Sequence, residues 1–227
     1  METVGDVDLL LSKDNYQKAK QFLLPLSSGH KKDERYSKHL GMNIDQWYVE
    51  IHGSLRTGLS ERIDQEVDAV QKDVFYDGNV RSWDCNGTTI FLPAPDNDVF
   101  FVFTHFIKHF YKKGMNLRQV CDWCRLLWTF RDSLNHRLLE SRIRRAGLLS
   151  EWKAFAALAV DYLGMPVEAM PMYEARKKWK KKGEKILNLI IDGSHGKVQD
   201  TMKRACVFPC NTLADRKSGS AGMPRPI

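Results

Sequence analysis

Apolar positions alternate with polar ones in the first part of the chain and recur every three or four residues in the second. Val4 to Leu11 is a short apolar run interrupted by Gly5, Asp6 and Asp8, the pattern of a buried strand whose two carboxylates leave on one side. Ser12 then caps a helix running to about Leu26, with Tyr16, Ala19, Phe22 and Leu23 at helical spacing and Gly29 as its stop. A strand follows around Tyr36 to Leu40. Another spans Trp47 to His52, in which Tyr48, Glu50 and His52 share one face. The order is strand, helix, strand, strand.

From about Arg56 to Lys72 the pattern is polar and helix-compatible, and Thr88 to Leu92 is a short strand closed by Pro93 and Pro95. Beyond the prolines the spacing predicts helices over about 97–113, 116–131, 134–146, 149–163 and 168–192, separated by Gly114, Gly147, Gly164 and Pro166. The expected fold class is therefore α+β, with strands and helices together over residues 1–95 and then an α-helical domain over 96–195. Residues 196–227 turn polar and irregular, and the stretch from Asp215, rich in Gly, Ser and Pro, carries the signature of disorder.

Composition narrows the classes. With 227 residues, 43% of them hydrophobic, the chain can bury one large core or two modest ones. Five cysteines, an odd number without paired spacing, suit a reducing compartment. No apolar run approaches the roughly 20 residues that span a bilayer, and no basic-then-apolar leader opens the sequence, so the expectation is a cytoplasmic protein with no membrane partner. The net charge of +7 is concentrated between Arg176 and Lys185, directly before the apolar Ile186, Leu187, Leu189, Ile190 and Ile191. A solvated basic face on a helix accounts for it. A nucleic-acid patch is possible but not favoured, because only Trp179 interleaves the cations.

Candidate chemistry begins with the acids. Asp6 and Asp8 are two apart, so on a strand they project from one face and can share divalent cations. Alone, such a pair is often only a solvated strand end. Glu50 changes the weighing, because it sits in a separate apolar strand where a carboxylate is costly unless paired or bound to metal. Two cations held by shared carboxylates would offset the charge that builds on the attacked phosphorus and the leaving pyrophosphate in nucleotidyl transfer. In that scheme Asp6 and Asp8 bridge the metals, Mg²⁺ or Mn²⁺, and Glu50 completes the site that activates the acceptor hydroxyl.

Gly5-Asp6-Val7-Asp8-Leu9, Val49-Glu50-Ile51-His52, Leu117-Arg118-Gln119-Val120-Cys121-Asp122-Trp123 and Val160-Asp161-Tyr162-Leu163-Gly164 together resemble the uncharacterised bacterial nucleotidyltransferase-like family of the polymerase-beta nucleotidyltransferase superfamily. The resemblance covers roughly residues 4–195. It implies that the strands form a small mixed sheet with flanking helices carrying the catalytic acids, a following helical domain, and transfer of a nucleoside monophosphate from a nucleoside triphosphate to an unknown acceptor. Members commonly begin upstream, with a glycine-rich turn that grips the phosphates through backbone amides. Its absence here implies an N-terminally truncated chain, or a catalytically impaired relative that binds a nucleotide or a partner. Gly53-Ser54 is similar to the superfamily's glycine-serine pair but follows the acids, and is not given that role.

His105 and His109 are four apart on a helix and point the same way, and with Cys121 and Cys124 they compose a two-histidine, two-cysteine set able to bind zinc. Val120, Cys121, Cys124 and Leu127 also read as a buried helix stripe, so packing without metal is expected. The resemblance implies that His105, His109 and Arg118 line the nucleotide cleft. Arg118 can grip phosphate oxygens or simply pair with Asp122 one turn later. His52 can orient an acid, bind phosphate or serve as a satisfied core histidine.

Overall fold

The computed structural model describes residues 7–30, 39–112 and 114–193. Four strands form one mixed sheet in the order β1-β4-β3-β2: β1 (Val7–Leu10), β2 (Gly29–His30), β3 (His39–Ile44) and β4 (Trp47–His52). β1 runs parallel to β4, and the other pairs are antiparallel. β3 and β4 are joined by Asp45 and Gln46, with Asp45 at φ 50°, a left-handed value that aspartate tolerates in tight turns. Helix α1 (Tyr16–Leu23) underlies the sheet. It is shorter than expected, because a 3-10 turn around Pro25 (Leu24–Leu26) replaces its last residues. Ser12 stands before the helix and accepts from Asn15 N at 3.2 Å.

Alternation divides the sheet into two unlike faces. Leu40, Met42, Val49 and Ile51 turn toward Tyr16 and form a small buried core with it. Tyr48, Glu50 and His52 turn the other way, across from Asn43, Gly41 and His39. Gly41 is small for a reason: a Cβ there would lie 2.1 Å from the hydroxyl oxygen of Tyr48, whose ring covers it.

Helix α2 (Glu61–Phe75) is capped by Ser60, which accepts from Ile63 N, and buries Ile63, Val67, Val70 and Val74 at helical spacing. The loop before it is fixed by the Asp64 carboxylate, which accepts from Thr57 N at 2.7 Å and Thr57 Oγ1 at 2.9 Å. A hairpin follows, β5 (Val80–Cys85) and β6 (Thr88–Pro93), turned by Asn86 and Gly87 at φ 51° and 80°. Both central residues at positive φ is the signature of a type I′ turn. β5 is an addition to the sequence reading, which found only the second strand.

The remaining helices are α3 (Pro95–Lys112), α4 (Leu117–Phe130), α5 (His136–Ala146), α6 (Leu149–Leu163) and α7 (Lys177–Gly193). Their core is aromatic: Phe100, Phe103, Phe106 and Phe110 of α3 pack among Trp123, Trp152 and Phe155. α6 runs through its centre, with Ala154, Ala156, Ala157 and Ala159 all buried, which lets neighbouring helices approach closely. Gly183 of α7 lies against it, where an added Cβ would meet Leu158 N at 2.8 Å.

The long helix expected over 168–192 begins only at Lys177. Val167–Ala169 is a 3-10 turn and Met172 has φ 59°, so the chain around Pro171 cannot continue a helix. That segment is held instead by side chains: Trp152 Nε1 donates to Pro171 O at 2.7 Å and the Tyr173 hydroxyl to Asp161 at 2.8 Å. Among the described residues no helix is long and apolar enough to cross a membrane.

Candidate active site

The polar face of the four-stranded sheet carries the site. Because β1 and β4 are parallel and in register, Asp8 stands directly opposite Glu50, on one face and on neighbouring strands. The hairpin register places His39 opposite His52 on that same face. The result is two carboxylates and two imidazoles on three adjacent strands.

Their contacts are close. His52 Nε2 donates to Asp8 Oδ1 at 2.7 Å, and His39 Nε2 to Glu50 Oε2 at 2.8 Å. His52 Nε2 is also 3.7 Å from the same Glu50 oxygen. The two imidazoles stack, ring centroids 4.7 Å apart. His39, Glu50 and His52 each offer one ligand atom, all within 4.8 Å of one another. Among the described residues they are the only such group of three or more histidines, cysteines and acids. The Asp8 side chain is 49% exposed and that of His52 only 10%, so the cluster has a buried floor and an open rim.

Helix α3 closes one side. The His105 ring meets His52 edge to face at 6.4 Å, and His105 Nε2 lies 3.0 Å from His109 Nε2. One of these nitrogens must donate and the other accept, so the pair holds at least one neutral ring. Burial depresses His105 to about 4, the neighbouring His109 adds to the effect, and Asp8 opposes it. His105 is therefore neutral at physiological pH.

The other candidates fall as follows. Asp6 lies outside the described residues. Arg118 is 71% exposed at the start of α4, in a loose pair with Asp122 at 3.9 Å, so the salt bridge weighed from the sequence is present. Cys121 and Cys124 do not join the histidine pair. Cys121 is exposed, departing from the buried stripe expected of it, whereas Cys124 is half-buried and its thiol is pushed up to about 12 by burial. Trp179 is buried, with Lys178 and Lys182 over its ring at 4.4 and 5.3 Å, so the aromatic in the basic stretch serves packing. Gly53 and Ser54 line a cleft of about 390 Å³ together with Lys13, Arg56, Lys72 and Tyr76.

His39 escaped the sequence reading. The signal existed: a two-residue turn at Asp45-Gln46 pairs Ile44 with Trp47, and counting outward from it pairs His39 with His52. The strand expected around Tyr36 to Leu40 lies partly outside the described residues, and within them it starts at His39 and runs on to Ile44.

No curated protein and no solved structure matches the chain. A family model does, over residues 1–164, a span that contains the acids, all four site histidines and Arg118. The chain belongs to the uncharacterised nucleotidyltransferase family.

Proposed function

We propose that the protein is a metal-dependent nucleotidyltransferase, moving a nucleoside monophosphate from a nucleoside triphosphate to an acceptor hydroxyl or amine, with Asp8, Glu50 and Asp6 as its acids. The observation that carries this reading is the register of β1 and β4, which sets Asp8 and Glu50 side by side on one face. Carboxylates on adjacent strands can share a cation, and oxygen donors suit Mg²⁺ or Mn²⁺. When bound, such ions would supply charge compensation for the reacting phosphate and the leaving pyrophosphate.

The chain's own residues have distinct parts. Asp8, open to solvent at the rim, meets the incoming phosphate side; Glu50, more enclosed, is the acid positioned to take the acceptor's proton. His39 and His52 hold these carboxylates by hydrogen bonds and restrict their rotamers. His105, kept neutral by burial, presents an uncharged ring to His52 and so adds no fixed positive charge behind the acids. His109 and the exposed Arg118 are assigned to the nucleotide side of the cleft, Arg118 as a solvent-facing guanidinium for phosphate oxygens.

The test is release of pyrophosphate from nucleoside triphosphates, with Mg²⁺ or Mn²⁺, across candidate hydroxyl and amine acceptors. Asp8→Asn and Glu50→Gln are each expected to lower it by about a hundredfold or more, as removal of a group that stabilises developing charge does. Turnover that survives both substitutions removes these acids from the mechanism. Nucleotide binding without any turnover in the unaltered chain replaces the reading with that of a binding protein.

A further inference from the structure

We infer that His39, Glu50 and His52 form a mixed nitrogen and oxygen centre that takes a transition-metal dication, of the Mn²⁺, Co²⁺ or Zn²⁺ class, through two imidazole nitrogens. The inference rests on the proposal that Glu50 carries a cation, and it adds which ion that cation is and what selects it.

The three ligand atoms lie within 4.8 Å of one another, and the two nitrogen-to-oxygen separations approach those of a coordination shell. His39 Nε2 and His52 Nε2 lie 2.8 and 3.7 Å from one oxygen, Glu50 Oε2. Donors held about 2.1 Å from an ion are about 3.0 Å apart as octahedral neighbours and about 3.4 Å apart in a tetrahedron. The observed pair of distances brackets both. An ion therefore enters by small side-chain shifts, without rebuilding the strands. The two rings stack, His39 Nε2 bonding the Glu50 oxygen and His52 Nε2 bonding Asp8 beside it, and side-chain exposures of 25%, 17% and 10% for His39, Glu50 and His52 limit their freedom to turn away. Asp8 Oδ1, 2.7 Å from His52 Nε2, is the adjacent oxygen donor.

The donor types decide the ion. Mg²⁺ prefers oxygen ligands in strict octahedral geometry and keeps its water, whereas imidazole favours the later first-row dications. Two nitrogens beside one shared carboxylate oxygen make a poor magnesium cage and a good site for manganese, cobalt or zinc. Each imidazole that now donates through Nε2 must free that atom to ligate. A neutral ring does so by shifting to its Nδ1–H tautomer, and a protonated ring by releasing the Nε2 proton to solvent while keeping the one on Nδ1; in either case the hydrogen bonds to Glu50 and Asp8 are exchanged for metal bonds.

The experiment titrates the full chain with Co²⁺, Zn²⁺, Mn²⁺ and Mg²⁺ by calorimetry and records nitrogen hyperfine coupling on bound Mn²⁺ by pulsed paramagnetic resonance. His39→Ala, His52→Asn and Asp8→Asn are compared with the unaltered chain, with circular dichroism confirming the fold. One ion per chain with nitrogen coupling is expected. Each histidine substitution should weaken Co²⁺ and Zn²⁺ by about tenfold or more while Mg²⁺ affinity changes little. If His52→Asn does not fold, the more exposed His39→Ala decides the matter. Bound Mn²⁺ without nitrogen coupling, or Zn²⁺ affinity unchanged in His39→Ala, overturns the centre. Loss of pyrophosphate release in Asp8→Asn together with those outcomes leaves the transfer reading standing. Nitrogen coordination without transfer under any metal leaves the centre and removes the transfer reading.

Discussion

Two groups of polar side chains in this protein are solved in opposite ways. Between α2, α3 and α5, the Asp73 carboxylate accepts from Asn79 at 2.9 Å and from Asn97 at 2.8 Å, while Arg142, 8% exposed, bonds Asn97 at 2.7 Å and approaches Asp73 at 3.4 Å. Burial alone would raise Asp73, but these donors hold it below the ordinary carboxylate value. A permanent guanidinium charge answers the carboxylate. On the sheet, Asp8 and Glu50 stand side by side and are met by the imidazoles of His52 and His39, whose nitrogens are of a kind that can ligate a metal. The first arrangement is closed and holds helices together; the second stays open at its rim, which suits a site.

The largest expected effects separate the two groups by their consequence. Arg142→Ala should cost about 3 kcal/mol of stability, since it removes the countercharge of Asp73 and leaves the buried Asn97 amide oxygen without its donor. Thermal unfolding should show the loss, and residual folded protein should keep the proposed nucleotidyl transfer. Asp8→Asn should do the reverse, sparing the melting temperature because the side chain is half exposed, and removing transfer. An Asp8→Asn protein that fails to fold, or an Arg142→Ala protein that folds well and is inactive, breaks the comparison.

Acid should affect the two regions in sequence. His105 ordinarily titrates at 6.5 and is held down to about 4, so between these values the unfolded chain takes up a proton that the folded chain refuses. Stability is therefore intact above 6.5 and falls as the pH drops toward 4. Asp73 is depressed from its ordinary 3.8, so its contribution is present above that value and is lost only below it. Melting temperatures measured from pH 7.5 to 3 should decline first through the histidine and then through the carboxylate. In His105→Gln the upper part of the decline should flatten; an unchanged slope between 6.5 and 4 would show that another group carries it.

Much of this was legible from apolar spacing. Helix α6 was expected over 149–163 and spans Leu149–Leu163, because its small and apolar residues leave no competing pattern. The face shared by Glu50 and His52 followed from strand alternation. What escaped depends on turns and pairing. β5 is polar, with Arg81, Ser82 and Asp84 among its six residues, and only the Asn86-Gly87 turn marks it as half of a hairpin. The delayed start of α7 reflects Pro171 and the left-handed Met172, whose segment is pinned by Trp152 and Tyr173 rather than by local preference. His39 belongs to the site only through a register counted from a turn, a relation between strands that no single stretch contains.

The smallest expected effect concerns the two cysteines of α4, which share one helix turn but not one environment. Val120, Trp123 and Leu127 define the buried face of α4, and Cys124 lies beside it while Cys121 turns outward. Thiolate, not thiol, reacts with alkylating agents, and burial pushes Cys124 to about 12, so almost none of it is ionised near pH 8. Timed labelling with iodoacetamide at pH 8, read by peptide mass, should modify Cys121 well before Cys124 in the folded protein. In denaturant both should react alike, because the difference comes from packing and not from the thiols themselves. Equal rates in the folded chain would mean that α4 opens on the labelling timescale, and would weaken the picture of a rigid helical core behind the open site on the sheet.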